Sequence, residues 1–389
     1  MPVSKSKNIL YRLALPFLSP SVSSDPVADI KGHSLASRES LVSIIRKNHV
    51  TGSAVMLSSG DMEGSVFTRA FHTEKIPDEK TFFRVASITK MATALLSVKL
   101  MDLGILDPDA PVAELLPDGR KQNELKGILF RHLLSHTSGL ADPPNLIHML
   151  NQNKPYSEAI SGANMRAPGS SFLYSNLAYG LIGSIVETQL GISVEHAFRE
   201  YCFIPLEMNA TLDASTLSAN QIMPLVRVLP YRPGKTICKP SPARHSIESP
   251  DPEYHYGYTA GSLYTDIISL KKMTSCIRDG GTPLVSAAYA DYMKKETAQY
   301  GSVSPTLSYG SGLLIIRDKR ISRHAVYGHQ GFAYGCVDGA FWEDSTGNII
   351  ISLNGGASEA RCGRLGLLNY ELCRWAFGEE LPEWKQSKI

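Results

Sequence analysis

The stretch FRVASITKMATALL, Phe83 to Leu96, sets a hydroxyl, Ser87, three residues ahead of an amine, Lys90, at the entrance of an apolar helical run. Residues i and i+3 share a helix face, so the amine can approach the hydroxyl. A helix N-terminus offers partial positive charge and free N–H groups to a developing oxyanion. A lysine set among apolar neighbours loses solvation, its pKa falls, and the neutral amine becomes a usable base. The S-x-x-K triplet also occurs at Ser4/Lys7 and Ser269/Lys272, so it is weak by itself. Ser4 falls in the N-terminal leader and Ser269 reads as mid-helix on a charged face. On this stretch alone, a plain helix cap followed by a solvated lysine is an equal reading of Ser87 and Lys90.

Two further stretches carry usable chemistry. FLYSNLAYG contains Tyr174 and Asn176, the chain's single Y-x-N. A phenol facing a nucleophile can relay a proton, and an asparagine amide can orient an acyl chain. VYGHQGFAYG contains His329, Gln330 and Gly331 on a predicted strand. Glycine there would let a substrate backbone approach an edge strand, and Phe332 could supply an oxyanion N–H. Each stretch in isolation reads more readily as structure: a buried aromatic before an Asn-capped helix, and a strand histidine beside a bulge glycine.

The elements that must position these residues follow from pattern. Residues 1–33 read as a poorly ordered leader. A helix is predicted from Ser34 to Lys47, then two strands around a Gly-Asp turn within VTGSAVMLSSGDMEGSVFTRAF. The Ser87 helix is predicted to run to about Leu103 and stop at Gly104. Strand signals are sparse from Asp107 to Pro252, and the Pro- and Ser-rich YRPGKTICKPSPARHSIESPDPEY reads as an exposed flap. Strands return in YGSGLLII, RHAVYGHQG, GCVDGAFWED and NIIISLNGG, and a last helix is predicted from about Glu359 to Phe377. The expected fold is α+β: an antiparallel sheet from both ends of the chain, flanked by helices, with residues 34–106 and 253–389 in the sheet domain and 107–252 as a mainly helical insertion.

Together, Ser87/Lys90, Tyr174/Asn176 and His329/Gly331 fall in the order of the S-x-x-K, Y-x-N and K-T-G or H-x-G motifs, with HLLSHTSGL (residues 132–140) and AGSLYTD in company. The chain thus resembles the serine β-lactamase and penicillin-binding-protein-like family, in its class C, esterase and D-amino-acid peptidase branch. The resemblance spans roughly residues 35–377 and implies a β-lactamase/transpeptidase-like fold. It implies Ser87 as nucleophile, Lys90 and Tyr174 sharing proton transfer, Asn176 touching the acyl side chain, and His329 where many relatives carry lysine. It further implies the amides of Ser87 and Phe332 as the oxyanion hole, with no metal and no cofactor. The expected substrates are small esters, amides or short D-amino-acid peptides. An acyltransferase, a β-lactamase and a non-catalytic binding member of the fold are the alternatives. The third motif departs from K-T-G: a permanent cation is replaced by an imidazole, mostly neutral near pH 7, and the threonine by Gln330. A neutral acyl environment is expected to suit this better than a β-lactam carboxylate. Arg361 is a carboxylate partner on one reading and a surface arginine on another.

Composition excludes other classes. Of 389 residues 43% are hydrophobic and 20% charged, with a formal charge of +2, so no basic surface for nucleic acid is expected. Six scattered cysteines lack metal-site spacing and read as reduced, buried thiols, Cys336 among them. His132 and His136 sit four apart without an intervening glutamate, which favours packing and capping over zinc. No stretch approaches the length of a membrane span. The N-terminus starts basic and turns apolar, but Arg12 and Pro16 interrupt it. A cytoplasmic chain is the expectation, with secretion or a periplasmic location as the alternative.

Overall fold

The computed structural model describes residues 35–70, 75–117, 124–227, 247–300, 306–333 and 335–378, together with Leu13 and the pieces 27–29 and 235–238. Most of the expected leader and half of the expected flap lie outside the described residues.

A nine-stranded antiparallel sheet forms the frame. Its strands are β1 (Val27–Asp29), β2 (Thr51–Ser59), β3 (Met62–Thr68), β4 (Ala298–Gln299), β5 (Leu307–Tyr309), β6 (Leu314–Ile316), β7 (Val326–Ala333), β8 (Cys336–Glu343) and β9 (Ile349–Gly356). Their spatial order is β1-β3-β2-β9-β8-β7-β6-β5-β4. The two ends of the chain meet where β2 pairs with β9, with Ile351 opposite Met56. The fold is α+β, as the distribution of strand signals implies.

Both faces of the sheet are covered, and side-chain alternation divides them. Val55, Leu57, Phe341 and Ile350 pack with residues of two helices, α1 (Leu35–Lys47) and α5 (Leu367–Phe377). Ala54, Met56, Ala340, Trp342, Ile349 and Ile351 point the other way. They join one large core with α2 (Thr89–Asp102), α3 (Asn176–Leu190) and α4 (Ile267–Arg278).

Helix α2 is buried on every side: each residue from Thr89 to Met101 except Lys99 is buried. It ends where Gly104 takes φ +71° and donates to Met101 O at 2.9 Å, the expected glycine stop. Two boundaries differ from the sequence reading. The last helix begins at Leu367, not Glu359, because Arg361–Cys362 and Leu365–Gly366 pair as a small hairpin around Gly363 at φ +62°. Arg361 therefore stands on a hairpin strand. Ser269 is not mid-helix on a charged face: it is the third residue of α4, buried, with its amide on the capping Asp266 carboxylate at 2.7 Å. Among the described residues no single helix is long and apolar enough to cross a membrane.

Candidate active site

Ser87 does not cap a helix. It lies in a single 3₁₀ turn, Ala86–Ile88, that leads straight into α2. Ala86 takes φ +47°, a conformation that costs a non-glycine residue of order 1 kcal/mol or more and persists only where packing imposes it. Its surroundings supply that packing. Val85 N donates to Leu263 O at 3.0 Å, Thr89 Oγ1 donates to Ala86 O at 2.6 Å, and Leu263 N donates to Thr89 Oγ1 at 3.1 Å. From the other side, a Cβ on Gly331 would overlap the Val85 carbonyl oxygen, so strand β7 presses directly on the backbone before the serine. This internal contact by itself requires glycine at 331, apart from any approach of a substrate backbone.

Lys90 is fully buried, one turn on from Ser87. Its Nζ lies 3.3 Å from Ser87 Oγ, 2.8 Å from Asn176 Oδ1 and 2.6 Å from Ala260 O. Burial lowers its pKa from 10.5 to about 7, partly countered by the negative charge of Asp142. Ala260 O is carried to the lysine by close helix packing. A Cβ on Gly180 in α3 would overlap Tyr256 O, and Thr259 is held by Tyr179 O at 2.7 Å and by Thr93 Oγ1 at 2.8 Å.

Tyr174 OH donates to Ser87 Oγ at 2.9 Å, and burial holds its phenol well above the ordinary value. The loop around Tyr174 is clasped by His136. Leu173 N donates to His136 O at 2.7 Å and Ser175 N to His136 Nδ1 at 3.1 Å, while the imidazole lies 4.3 Å from the phenol ring. His132 accepts from Leu129 N at 3.1 Å, the capping role expected of it. Among the described residues no group of three or more His, Cys, Asp or Glu side chains could hold a metal ion.

Ser175, not Asn176, caps α3, accepting from Ala178 N at 2.9 Å. Asn176 is the first residue of the helix, with its Oδ1 on Lys90 and its Nδ2 donating to Asp142 Oδ2 at 2.7 Å. Asp142, which sequence reasoning missed, also accepts from Ser175 Oγ at 3.1 Å and Leu177 N at 2.9 Å. Its one signal is position, two residues beyond the HLLSHTSGL segment.

His329 is buried on β7 and both of its nitrogens have protein partners: Tyr309 OH at 3.0 Å from Nε2, and Gln330 O at 2.7 Å from Nδ1. Burial, then the nearby Lys90, push its pKa down to about 3, so the imidazole is neutral. With Nδ1–H given to a carbonyl, Nε2 accepts from the phenol. Gln330 reaches away to the hairpin, bonding Arg364 O and Gly366 N at 3.0 Å each. Phe332 is half-buried, with the Arg361 guanidinium 4.2 Å from its ring centroid. Strand β7 pairs with β8 along its whole length but with β6 only from Val326 to Gly328. No described strand pairs with residues 329–333 on that second edge. Cys336 is buried, its thiol 3.1 Å from Ala333 O and its pKa pushed up by burial, so it is a packing residue.

With this geometry in hand, comparison with known proteins gives a consistent result. Penicillin-binding protein 4* of Bacillus subtilis is 30% identical over 42% of the chain and 38% of its own length. Esterase EstB of Burkholderia gladioli is 32% identical over 46% of the chain and 48% of its own length. The matched part thus spans less than half of either relative. The D-amino acid amidase of Ochrobactrum anthropi SV3, solved with L-phenylalanine amide, is 21% identical, shares the fold at a TM-score of 0.69, and is matched over 87% of this chain and 96% of its own. The Beta-lactamase family model matches residues 46–352, most of the chain, and the chain belongs to that family.

Proposed function

We propose that the chain is a serine hydrolase that forms a covalent acyl-enzyme at Ser87 on small esters or amides with a neutral acyl group. The observation that carries this is the environment of Lys90. Asn176 Oδ1 and Ala260 O can only accept hydrogen bonds, so a neutral amine spends its two N–H groups on them. Its lone pair is then left facing the third neighbour, Ser87 Oγ. A pKa near 7 makes that neutral form abundant at ordinary pH.

The steps follow. Lys90 takes the Ser87 proton as Oγ attacks the substrate carbonyl carbon. The resulting oxyanion lies against the amides of Ser87 and Phe332, a pairing supported by the contact of Gly331 with the backbone before the serine. Tyr174, kept as a phenol by its raised pKa, gives its proton to the leaving group as the carbonyl reforms, and the Lys90 ammonium restores it. Water then releases the acyl group by the reverse sequence. The half-open edge of β7 accommodates an extended acyl or peptide segment.

Neutral His329 argues for the acyl class. An imidazole held uncharged by burial, with both nitrogens engaged, does not meet a carboxylate as a lysine would. Among the relatives, an esterase and a D-amino acid amidase carry the activities that this chemistry suits. The test is a fluorophosphonate probe, with p-nitrophenyl esters, D-amino-acid amides and a chromogenic cephalosporin run on one preparation. Labelling at Ser87 that is lost in Ser87→Ala, with ester or amide turnover exceeding cephalosporin turnover, is the expected result. An unlabelled wild type overturns the enzyme reading, and a high kcat/KM on the cephalosporin overturns the substrate reading.

A further inference from the structure

We propose that Asp142 is a positioning residue for Lys90: it locks the Asn176 amide with its carbonyl oxygen toward the amine, so that the lysine lone pair stays aimed at Ser87. The inference rests on the serine-hydrolase reading and adds a residue to it.

An asparagine amide presents an acceptor on one side and two donors on the other, and can be reversed by a half-turn. A carboxylate only accepts. Asp142 Oδ2, 2.7 Å from Asn176 Nδ2, therefore fixes the amide nitrogen on its own side and leaves Oδ1 for Lys90. Were the amide reversed, its N–H₂ would meet the amine. It would then occupy the lone pair needed for the Ser87 proton, or face an ammonium donor to donor. The carboxylate is itself immobilised by Ser175 Oγ and by Leu177 N, one of the free amides at the start of the 15-residue helix α3. One side chain thus ties the segment after HLLSHTSGL to three consecutive residues, Ser175, Asn176 and Leu177.

The groups facing Lys90 come from every element around it: Asp142, Tyr174 and Tyr179 with rings 5.0 and 5.6 Å from Nζ, and the imidazoles of His136 and His329. Both imidazoles are held neutral by burial and both phenols are raised. Asp142 is accordingly the charge that acts on the amine near pH 7, and removing it moves the Lys90 titration to lower pH.

The test follows the rate of Ser87 labelling by a fluorophosphonate, and kcat on a p-nitrophenyl ester, from pH 5 to 9. Asp142→Asn, nearly isosteric, is expected to slow labelling about 10–100-fold, the scale of a misplaced catalytic group, and to shift the rising limb to lower pH. In an Asn176→Ala background the same change is expected to cost less than about threefold, because the residue it acts through is gone. Asp142→Glu, which keeps the charge, is expected to hold the limb near its wild-type position. Should Asp142→Asn not fold, the glutamate variant is carried through the same cycle. An unmoved limb, or losses that multiply in the double variant, makes Asp142 a structural strut and overturns the proposal. A wild type with no label at Ser87 instead overturns the hydrolase reading, a separate outcome.

Discussion

Lys90 Nζ stands 2.6 Å from the backbone carbonyl of Ala260, nearer than the 3.3 Å that separates it from Ser87 Oγ. The amine is thus anchored by fixed acceptors and only faces its nucleophile. Its working form is the neutral one, so activity should rise through the folded-state pKa, about 7, and not through the 10.5 of a free lysine. A kcat/KM profile with a rising limb centred near pH 7 is the expected observation. Lys90→Ala should lower kcat by about 10²–10⁴-fold with little change in KM. Lys90→Arg should be as inactive, since a guanidinium stays charged. A limb unmoved from wild type in Lys90→Ala, with turnover retained, removes this lysine from the chemistry. Stability follows the same shift with the opposite emphasis. The unfolded chain holds the Lys90 proton from pH 7 to 10.5 while the folded protein does not, so the burial penalty is full below pH 7 and relieved as pH rises toward 10.5.

Tyr174 donates to Ser87 Oγ at 2.9 Å and its phenol is too weak an acid to ionise near pH 7. As the proton source for the leaving group, it matters in proportion to how much that group needs a proton. Tyr174→Phe should therefore cost about 10²–10⁴-fold in kcat/KM, which reports acylation, on amides and alkyl esters, and clearly less on p-nitrophenyl esters, whose phenolate leaves unaided. Steady-state kinetics on a matched amide and p-nitrophenyl ester checks this. Equal losses on both substrates would assign Tyr174 to positioning only.

Gly331 shows how the sheet sets the nucleophile. A side chain there meets the Val85 carbonyl, a backbone atom that cannot rotate away. Gly331→Ala should destabilise by about 1–3 kcal/mol as an overpacked site and slow Ser87 labelling about 100-fold by shifting residues 85–87. Gly363→Ala is the control: unlike Gly331 it takes a positive φ, +62°, and nothing lies within 4 Å of the added Cβ. It should cost about 1 kcal/mol and leave labelling intact. Thermal melts with labelling rates on the two variants separate close packing from backbone preference.

What the sequence revealed and what it hid divide by range. Ser87 and Lys90 were legible because their relation is local: a three-residue spacing and an apolar stretch that buries the amine. The sheet was legible because short strand-like runs bounded by turn residues recur in β2, β8 and β9. Asp142 was not, because its partners are 33 to 35 positions away and A-D-P-P reads as an ordinary turn. His329 was visible as a residue but not as a state: the phenol bonded to its Nε2 comes from Tyr309, on β5. The start of the last helix was misread because Gly363 turns a hairpin inside a stretch whose composition suits a helix.

Glu187 extends this long-range pattern to a residue with no place in the chemistry. Buried on α3, its Oε1 accepts from Val194 N at 2.8 Å and meets His255 Nδ1 at 2.7 Å, and its Oε2 accepts from Asp251 N at 2.8 Å. Two acceptor oxygens thus fasten the chain at residues 251–255 to α3, just before that chain delivers Ala260 O to Lys90. A glutamine in its place must turn an N–H₂ toward one of these backbone donors, orphaning a buried group at about 1–3 kcal/mol. Glu187→Gln should lower the melting temperature accordingly, and it should also lower kcat, because the Ala260 carbonyl that holds the amine loses its fixed seat. Thermal denaturation paired with the pH dependence of kcat reads both effects. A variant that melts early yet keeps the wild-type rate at permissive temperature would confine Glu187 to stability and detach the Ala260 contact from the tuning of Lys90.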